Sequence, residues 1–321
     1  MRNKRFQNLV SKSSLTLPLC MVIGLLVWFW DAGSCSYKYS HSSLMTLLLF
    51  LTTAYVITET SNTFSLLRVR SRMITSVWLL GVSLIPFIRV FSYGWIAAAA
   101  LAGSYHIMFL SYQEHEPVTH VFHTFLLLGC AILFVPELTI LIPLYYWYML
   151  VMLRCMSWRS LWAGFVGILF PLSFTIGWSI LSEDYRLLQS WITTISDIHP
   201  FCQQDYGRLL SYTNAEAQQC VFWGVLSLVS IIHFMQTYYN DKIRTRMYLY
   251  IYVAQTVVCW LIILALPDRL HIMLPIMLLN ASTLIAHYFT LTGSRLSNAF
   301  FCLTLLACIG LFTYNLGIWK L

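Results

Sequence analysis

The chain has 321 residues, of which 59% are hydrophobic and 10% charged, with a mean hydropathy of +0.72 and a formal net charge of +7. Soluble globular domains run near about 45–50% apolar and about 25% charged. The difference excludes a soluble cytoplasmic enzyme, a disordered chain and a nucleic-acid-binding domain, and it points to an all-α, polytopic transmembrane helix bundle.

A hydrocarbon core about 30 Å thick takes roughly 20 helical residues per crossing. Apolar runs of that order lie near residues 14–30, 43–59, 73–90, 95–112, 119–136, 137–154, 160–181, 219–238, 247–266, 270–291 and 297–316. They predict about 11 helices in a single integral membrane domain covering 1–321. Tyr93-Gly94 divides the third run from the fourth, and Pro136-Glu137 the fifth from the sixth.

Basic residues mark the cytoplasmic side of such a bundle. With the N-terminus in, the inner segments hold Arg2, Lys4, Arg5, Lys12, Arg68, Arg70, Arg72, Arg154, Arg159, Lys242, Arg244, Arg246 and Arg295, which is 13 of 19. Lys38, Arg89, Arg186, Arg208, Arg269 and Lys320 fall outside. The alternation predicts N-terminus in, C-terminus out, in a bacterial inner membrane. The basic start followed by an apolar run reads as an uncleaved first helix, since Asp31 interrupts any signal-peptide pattern.

Along the chain, Asp31 comes first among residues with chemical content. It follows Trp28-Phe29-Trp30 at the outer end of the first helix. Glycosyltransferases that use polyprenyl-phosphate sugars (the GT-C architecture) place a catalytic acid there, so Asp31 is a candidate general base; a plain interfacial aspartate is the alternative. Two compact basic clusters follow on the inner face, Arg68, Arg70, Arg72 and Lys242, Arg244, Arg246. Together with Arg295 they are candidates for binding anionic lipid headgroups or phosphate, each charge contributing about 1 kcal/mol.

Histidines gather near one level. His115, His120 and His123 surround the cytoplasmic turn after the fourth helix, and His106, His233 and His287 lie four to six residues inside helix ends on that side. His106, His120, His123, His233 and His287 are thus a speculative metal set of the kind used by membrane oxygenases; interfacial histidine is the alternative. No cofactor is expected. No acidic or basic residue falls near a predicted midplane, where Gln255 and Asn280 are the deepest amides, read as interhelical hydrogen-bond partners.

The segment 182–218 is the long extracytoplasmic loop. Leu187, Leu188, Trp191, Ile192 and Ile195 give it one apolar helical face, suited to the outer membrane surface or to the top of the bundle. Among nine cysteines, Cys35, Cys202 and Cys220 fall outside, which allows a Cys202–Cys220 disulfide across this loop. Proline lies in the outer halves of three helices at Pro86, Pro143 and Pro275 and mid-helix at Pro171. Ala97 to Gly103 gives the fourth helix a small-residue face able to take a close helix neighbour, from this chain or from another membrane protein.

Several segments carry a resemblance. Asn62-Thr63-Phe64-Ser65-Leu66-Leu67-Arg68-Val69-Arg70, Asp241-Lys242-Ile243-Arg244-Thr245-Arg246-Met247, Leu284-Ile285-Ala286-His287-Tyr288-Phe289, Arg295-Leu296-Ser297-Asn298 and Thr313-Tyr314-Asn315-Leu316 resemble a family of uncharacterised polytopic inner-membrane proteins of Gram-negative bacteria. The resemblance runs from about residue 55 to the end. Some members carry a carotene-oxygenase name, which the resemblance extends to this chain as one expectation. The shared segments imply a common site among Asn62, Arg68, Arg70, Asp241, Lys242, Arg244, Arg246, His287 and Arg295. The leading functional expectation is an envelope-biogenesis membrane protein in contact with anionic or phosphorylated lipid; the glycosyltransferase and the histidine-metal oxygenase are the enzyme alternatives.

Overall fold

A computed structural model describes residues 5–34, 41–183, 185, 186, 189, 191–193, 206 and 214–315, with the backbone alone at 29–34 and 41–43. Among these residues the chain is helical throughout, without strands. In order, α1 is Phe6–Lys12, α2 Thr16–Ser34, α3 His41–Phe64, α4 Met73–Ser83, α5 Tyr93–Leu110, α6 Val118–Phe134 and α7 Leu141–Trp147. Then follow α8 Trp158–Ser182, α9 Ala215–Thr237, α10 Ile243–Ala265, α11 Leu270–Leu291 and α12 Arg295–Asn315.

Each of the eleven apolar runs coincides with helix, but the lengths differ. Among the described residues seven helical stretches are long and apolar enough to cross a membrane, and an eighth arises if α1 and α2 count together across their 89° bend. Two of the runs that fall short are broken by proline, which cannot donate a backbone hydrogen bond. Pro86 and Pro136 each open a 3-10 turn, leaving α4 with 11 residues and α7 with 7. At 1.5 Å per residue α4 is about 16 Å long, half a hydrocarbon core. The end of α7 passes into a π turn, Tyr148–Met152.

The chain divides into two compact units: Met1–Ser92 with Asp205–Trp260 and Met277–Leu321, and Tyr93–Gln204 with Leu261–Ile276. In the first unit α11 is the central element. Every residue from Met277 to His287 is buried, so this helix has no lipid-facing stripe and can carry polar side chains on all sides. Around it, α2, α3 and α4 meet through Trp28, Phe50 and Trp78, with ring centroids 5.1 Å and 5.3 Å apart. A side chain at Gly81 of α4 would come within 2.9 Å of Trp223 of α9. Helix α1 has inverted polarity: it buries Gln7 and Ser11 while Phe6 and Leu9 are half exposed. That arrangement suits a short helix lying in the membrane interface with its apolar side toward acyl chains.

The second unit is built on close helix approach. Ala97, Ala98, Leu101 and Ala102 of α5 are fully buried, so the small-residue face packs within this chain. Between α6 and α8, a Cβ at Gly167 would stand 2.6 Å from the Phe122 carbonyl oxygen, and one at Gly129 would stand 2.8 Å from Pro171. Such contacts replace the hydrophobic drive that is missing between helices in lipid. Helix α8 exposes Trp158 and Trp178, twenty residues apart, at its two ends. The spacing is about 30 Å, the distance between the two aromatic belts of a bilayer. Above α6, Trp191 donates its indole N–H to the Ile132 carbonyl at 3.3 Å, which ties the loop after α8 to the top of this unit; Leu187, Leu188 and Ile195 lie outside the described residues.

Replacing Gly167 by Leu should therefore lower the unfolding midpoint in detergent, with a loss of about 1–3 kcal/mol from overpacking. Gly177, whose Cβ would meet nothing within 4 Å, should accept Ala without loss. Equal midpoints for the two variants would contradict this packing.

Candidate functional site

The site grows from how α3 ends. The chain leaves that helix through Ser65 in the left-handed region, φ 48°, and the next two residues, Leu66 and Leu67, turn inward and are buried. These apolar anchors fix the direction of Arg68. Its guanidinium Nε–H donates to Oδ1 of Asp241, and its Nη2 donates to the Thr237 carbonyl at 3.2 Å. Asp241 sits after the 3-10 turn Tyr238–Asn240 that closes α9, with its own N–H bonded to the Tyr238 carbonyl at 3.0 Å. Its second oxygen, Oδ2, is 3.2 Å from Nε2 of His287 on α11.

Both partners of that contact are removed from solvent: the side chain of Asp241 is 1% exposed and that of His287 is 0%. Burial alone would push the Asp241 carboxyl up, but the hydrogen bonds from His287 and Arg68, with their charges, outweigh it and hold the pKa below the ordinary carboxylate value. An aromatic wall completes the surroundings. The His233 ring lies 6.1 Å from His287 and 5.0 Å from Tyr288, and Phe234 stands edge-on to His287 at 5.6 Å.

The basic residues divide into those held by the protein and those left toward solvent. Arg246 donates to the carbonyls of Tyr239 and Asp241 and lies over the Tyr238 ring at 5.3 Å. Arg244 donates to the Tyr248 hydroxyl at 2.7 Å and stacks near Phe64. Arg70, Lys242 and Arg295 are exposed. Helix α1 docks at this same end: Gln7 Nε2 donates to the Phe289 carbonyl at 2.7 Å, Gln7 Oε1 accepts from Ser297, and the Ser71 hydroxyl donates to the Ser11 carbonyl. The start of the chain, the loop after α3, the α9–α10 turn and the α11–α12 turn therefore meet at one end of the first unit.

Other sequence candidates land elsewhere. Asp31 is on the last turns of α2, and its side chain lies outside the described residues. In the second unit His120 is 3.5 Å from Glu114, His123 Nδ1 is 2.8 Å from the Thr119 carbonyl, and His106 is half-buried on α5. His233 and His287 belong to the first unit. Among the described residues no three His, Cys, Asp or Glu side chains are grouped closely enough to hold a metal ion. Cys220 is half-buried on α9; the expected Cys202–Cys220 bridge involves Cys202, which lies outside the described residues. Asn280 donates to the Cys259 sulfur at 3.7 Å, an interhelical bond as its depth suggested. Gln7 was not among the sequence candidates, because Asn3, Asn8 and Ser11 beside it are equally polar and nothing in the pattern singles it out. Set against family models, curated proteins and solved structures, the chain matches none.

The lowered pKa fixes a sign. A carboxylate whose folded pKa lies below its unfolded value of about 4 stabilises the fold fully above that value, and the contribution fades as pH falls through the folded pKa. The unfolding midpoint of the wild type should exceed that of Asp241→Asn at neutral pH, and the two should converge in acid. A gap that persists unchanged in acid would contradict the assignment.

Proposed function

We propose that the chain is a multi-pass protein of a bacterial inner membrane, N-terminus in and C-terminus out, whose cytoplasmic end binds anionic or phosphorylated lipid. Its role belongs to envelope biogenesis. The topology behind this reading is the full set of eleven helical traverses, with the proline-broken α4 and α7 completing theirs through the turns beside them. Buried in protein, such turns are tolerated at membrane depth.

One observation carries the reading: hydrogen bonds gather four basic segments at one end of the first unit, and the carboxylate among them, Asp241, is already neutralised from within. Arg70, Lys242 and Arg295 remain exposed there, where anionic headgroups attract each cation by about 1 kcal/mol. Helix α1 supports the same picture, since half-exposed Phe6 and Leu9 beside exposed Lys12 match the apolar and charged layers of a membrane interface. The resemblance of the segments around Arg68, Asp241, His287 and Arg295 to inner-membrane proteins agrees with this location.

The test is lipid analysis of protein purified in mild detergent. The wild type should retain anionic or polyprenyl-phosphate lipid, and the triple variant Arg70→Gln, Lys242→Gln, Arg295→Gln should lose most of it while keeping its unfolding midpoint. A variant that folds and retains the wild-type lipid profile would overturn the proposal.

A further inference from the structure

The second unit carries a groove between the first turns of α6 and α8 that plays no part in the anionic-lipid reading. It measures about 410 Å³, within the range of about 300–1,000 Å³ that small-molecule sites occupy. Val118 and Phe122 of α6 form one wall, and Trp162, Ala163 and Val166 of α8 form the other. Gly167 seats α8 against the Phe122 backbone, and the groove lies beside that contact. Trp162 and Val166 are half exposed, on a helix long and apolar enough to cross a membrane. An apolar groove on such a helix opens to lipid.

Charged groups stand at its mouth. Exposed Trp158 marks one aromatic belt, so Arg159 beside it lies at headgroup depth. Arg159 also lines the groove, which descends from there to Val166 by about 10 Å at 1.5 Å per residue. Arg159 Nη1 is 3.3 Å from Oε2 of Glu116, and both side chains are exposed. Glu116 comes two residues before α6, on the water side of the groove, and Glu114 beyond it is 3.5 Å from His120. Among the described residues no side chain caps α6, so the partial positive charge of its N-terminus adds to that of Arg159. Outward from the bilayer centre, the groove therefore presents apolar walls, then a cation, then carboxylates. A phospholipid with an amino headgroup has the matching order: acyl chain, phosphate, ammonium.

We infer that this groove binds one zwitterionic glycerophospholipid, with an acyl chain between Phe122 and Trp162, its phosphate on Arg159 and its ammonium on Glu116. An exposed ion pair such as Arg159–Glu116 is weak, and a zwitterion exchanges it for two pairs without a change in net charge. An anionic headgroup without the ammonium brings its charge against Glu116 and Glu114. Free phosphate would leave the apolar walls uncovered. The inference uses residues of the second unit alone and is independent of the anionic-lipid reading, which rests on Arg70, Lys242 and Arg295.

Native mass spectrometry of the full chain, titrated in detergent with phosphatidylethanolamine or with phosphatidylglycerol of the same acyl chains, tests it. The wild type should hold one phosphatidylethanolamine. Ala163→Phe fills the groove and should weaken that binding at least about tenfold, because the chain's methylenes lose their burial, with phosphatidylglycerol binding unchanged. Glu116→Gln should weaken phosphatidylethanolamine about threefold, the scale of one exposed ion pair, and leave phosphatidylglycerol no weaker. The triple variant Arg70→Gln, Lys242→Gln, Arg295→Gln should keep the phosphatidylethanolamine, so the two lipid readings fail separately. A folded Ala163→Phe protein that binds phosphatidylethanolamine like the wild type would overturn the inference. So would equal losses of both lipids in that variant. Should Ala163→Phe not fold, Arg159→Gln, at an exposed position, decides: about threefold weaker phosphatidylethanolamine binding supports the inference, and unchanged binding overturns it.

Discussion

A carboxylate buried at a helix turn is the constraint on which the rest of this end of the protein depends. Asp241 has almost no exposed surface, and an ionised group removed from water must be compensated by charge and hydrogen bonds or the fold will not hold it. The compensation comes from two separate places, Arg68 of the loop after α3 and His287 of α11, and the carboxylate itself belongs to a third, the α9–α10 turn. Because those places are far apart in sequence, satisfying one carboxylate fixes the relative positions of three chain segments. The docking of α1 through Gln7 adds the start of the chain to the same assembly. A salt bridge of this kind contributes specificity of arrangement more than net stability.

The same constraint explains how a strongly basic end stays organised. Arg68 and Arg246 are spent on Asp241, Thr237 and Tyr239, and Arg244 is engaged with Tyr248 and Phe64. Their charges hold the loops in place, and the exposed Arg70, Lys242 and Arg295 are presented from that rigid base. The protein thus inverts the soluble pattern. Its polar groups, Asn280, Thr283 and His287 among them, gather on a central helix with no lipid contact, while Leu181, Leu296 and Leu306 face outward. A membrane interior rewards that inversion, because hydrocarbon solvates leucine and cannot solvate an amide.

Much of this was legible in the sequence, for identifiable reasons. Every apolar run is helical because hydrophobic length and backbone self-satisfaction act locally. Where spans were expected at full length, Pro86 and Pro136 shorten the helix, an effect visible as residue identity but not as extent. Arg68, Asp241 and His287 were expected in one common site through the resemblance of their segments, but not as direct partners of one another. Their contact depends on Leu66 and Leu67 turning inward and on the turn after α9, which are tertiary events with no periodic signature. The histidines show the opposite case: one layer in sequence, but His120 pairs with Glu114 whereas His287 pairs with Asp241. Depth along a helix is readable from residue count, and azimuth around a bundle is not.

The central claim is that Arg68 and Asp241 act as one unit. A double-mutant cycle on Arg68→Gln and Asp241→Asn, read by reversible unfolding in detergent, measures that coupling directly. The account predicts that the second substitution costs less once the first is made, with a coupling of about 1–3 kcal/mol. Strictly additive losses would mean that the two residues stabilise the protein independently, and would contradict it.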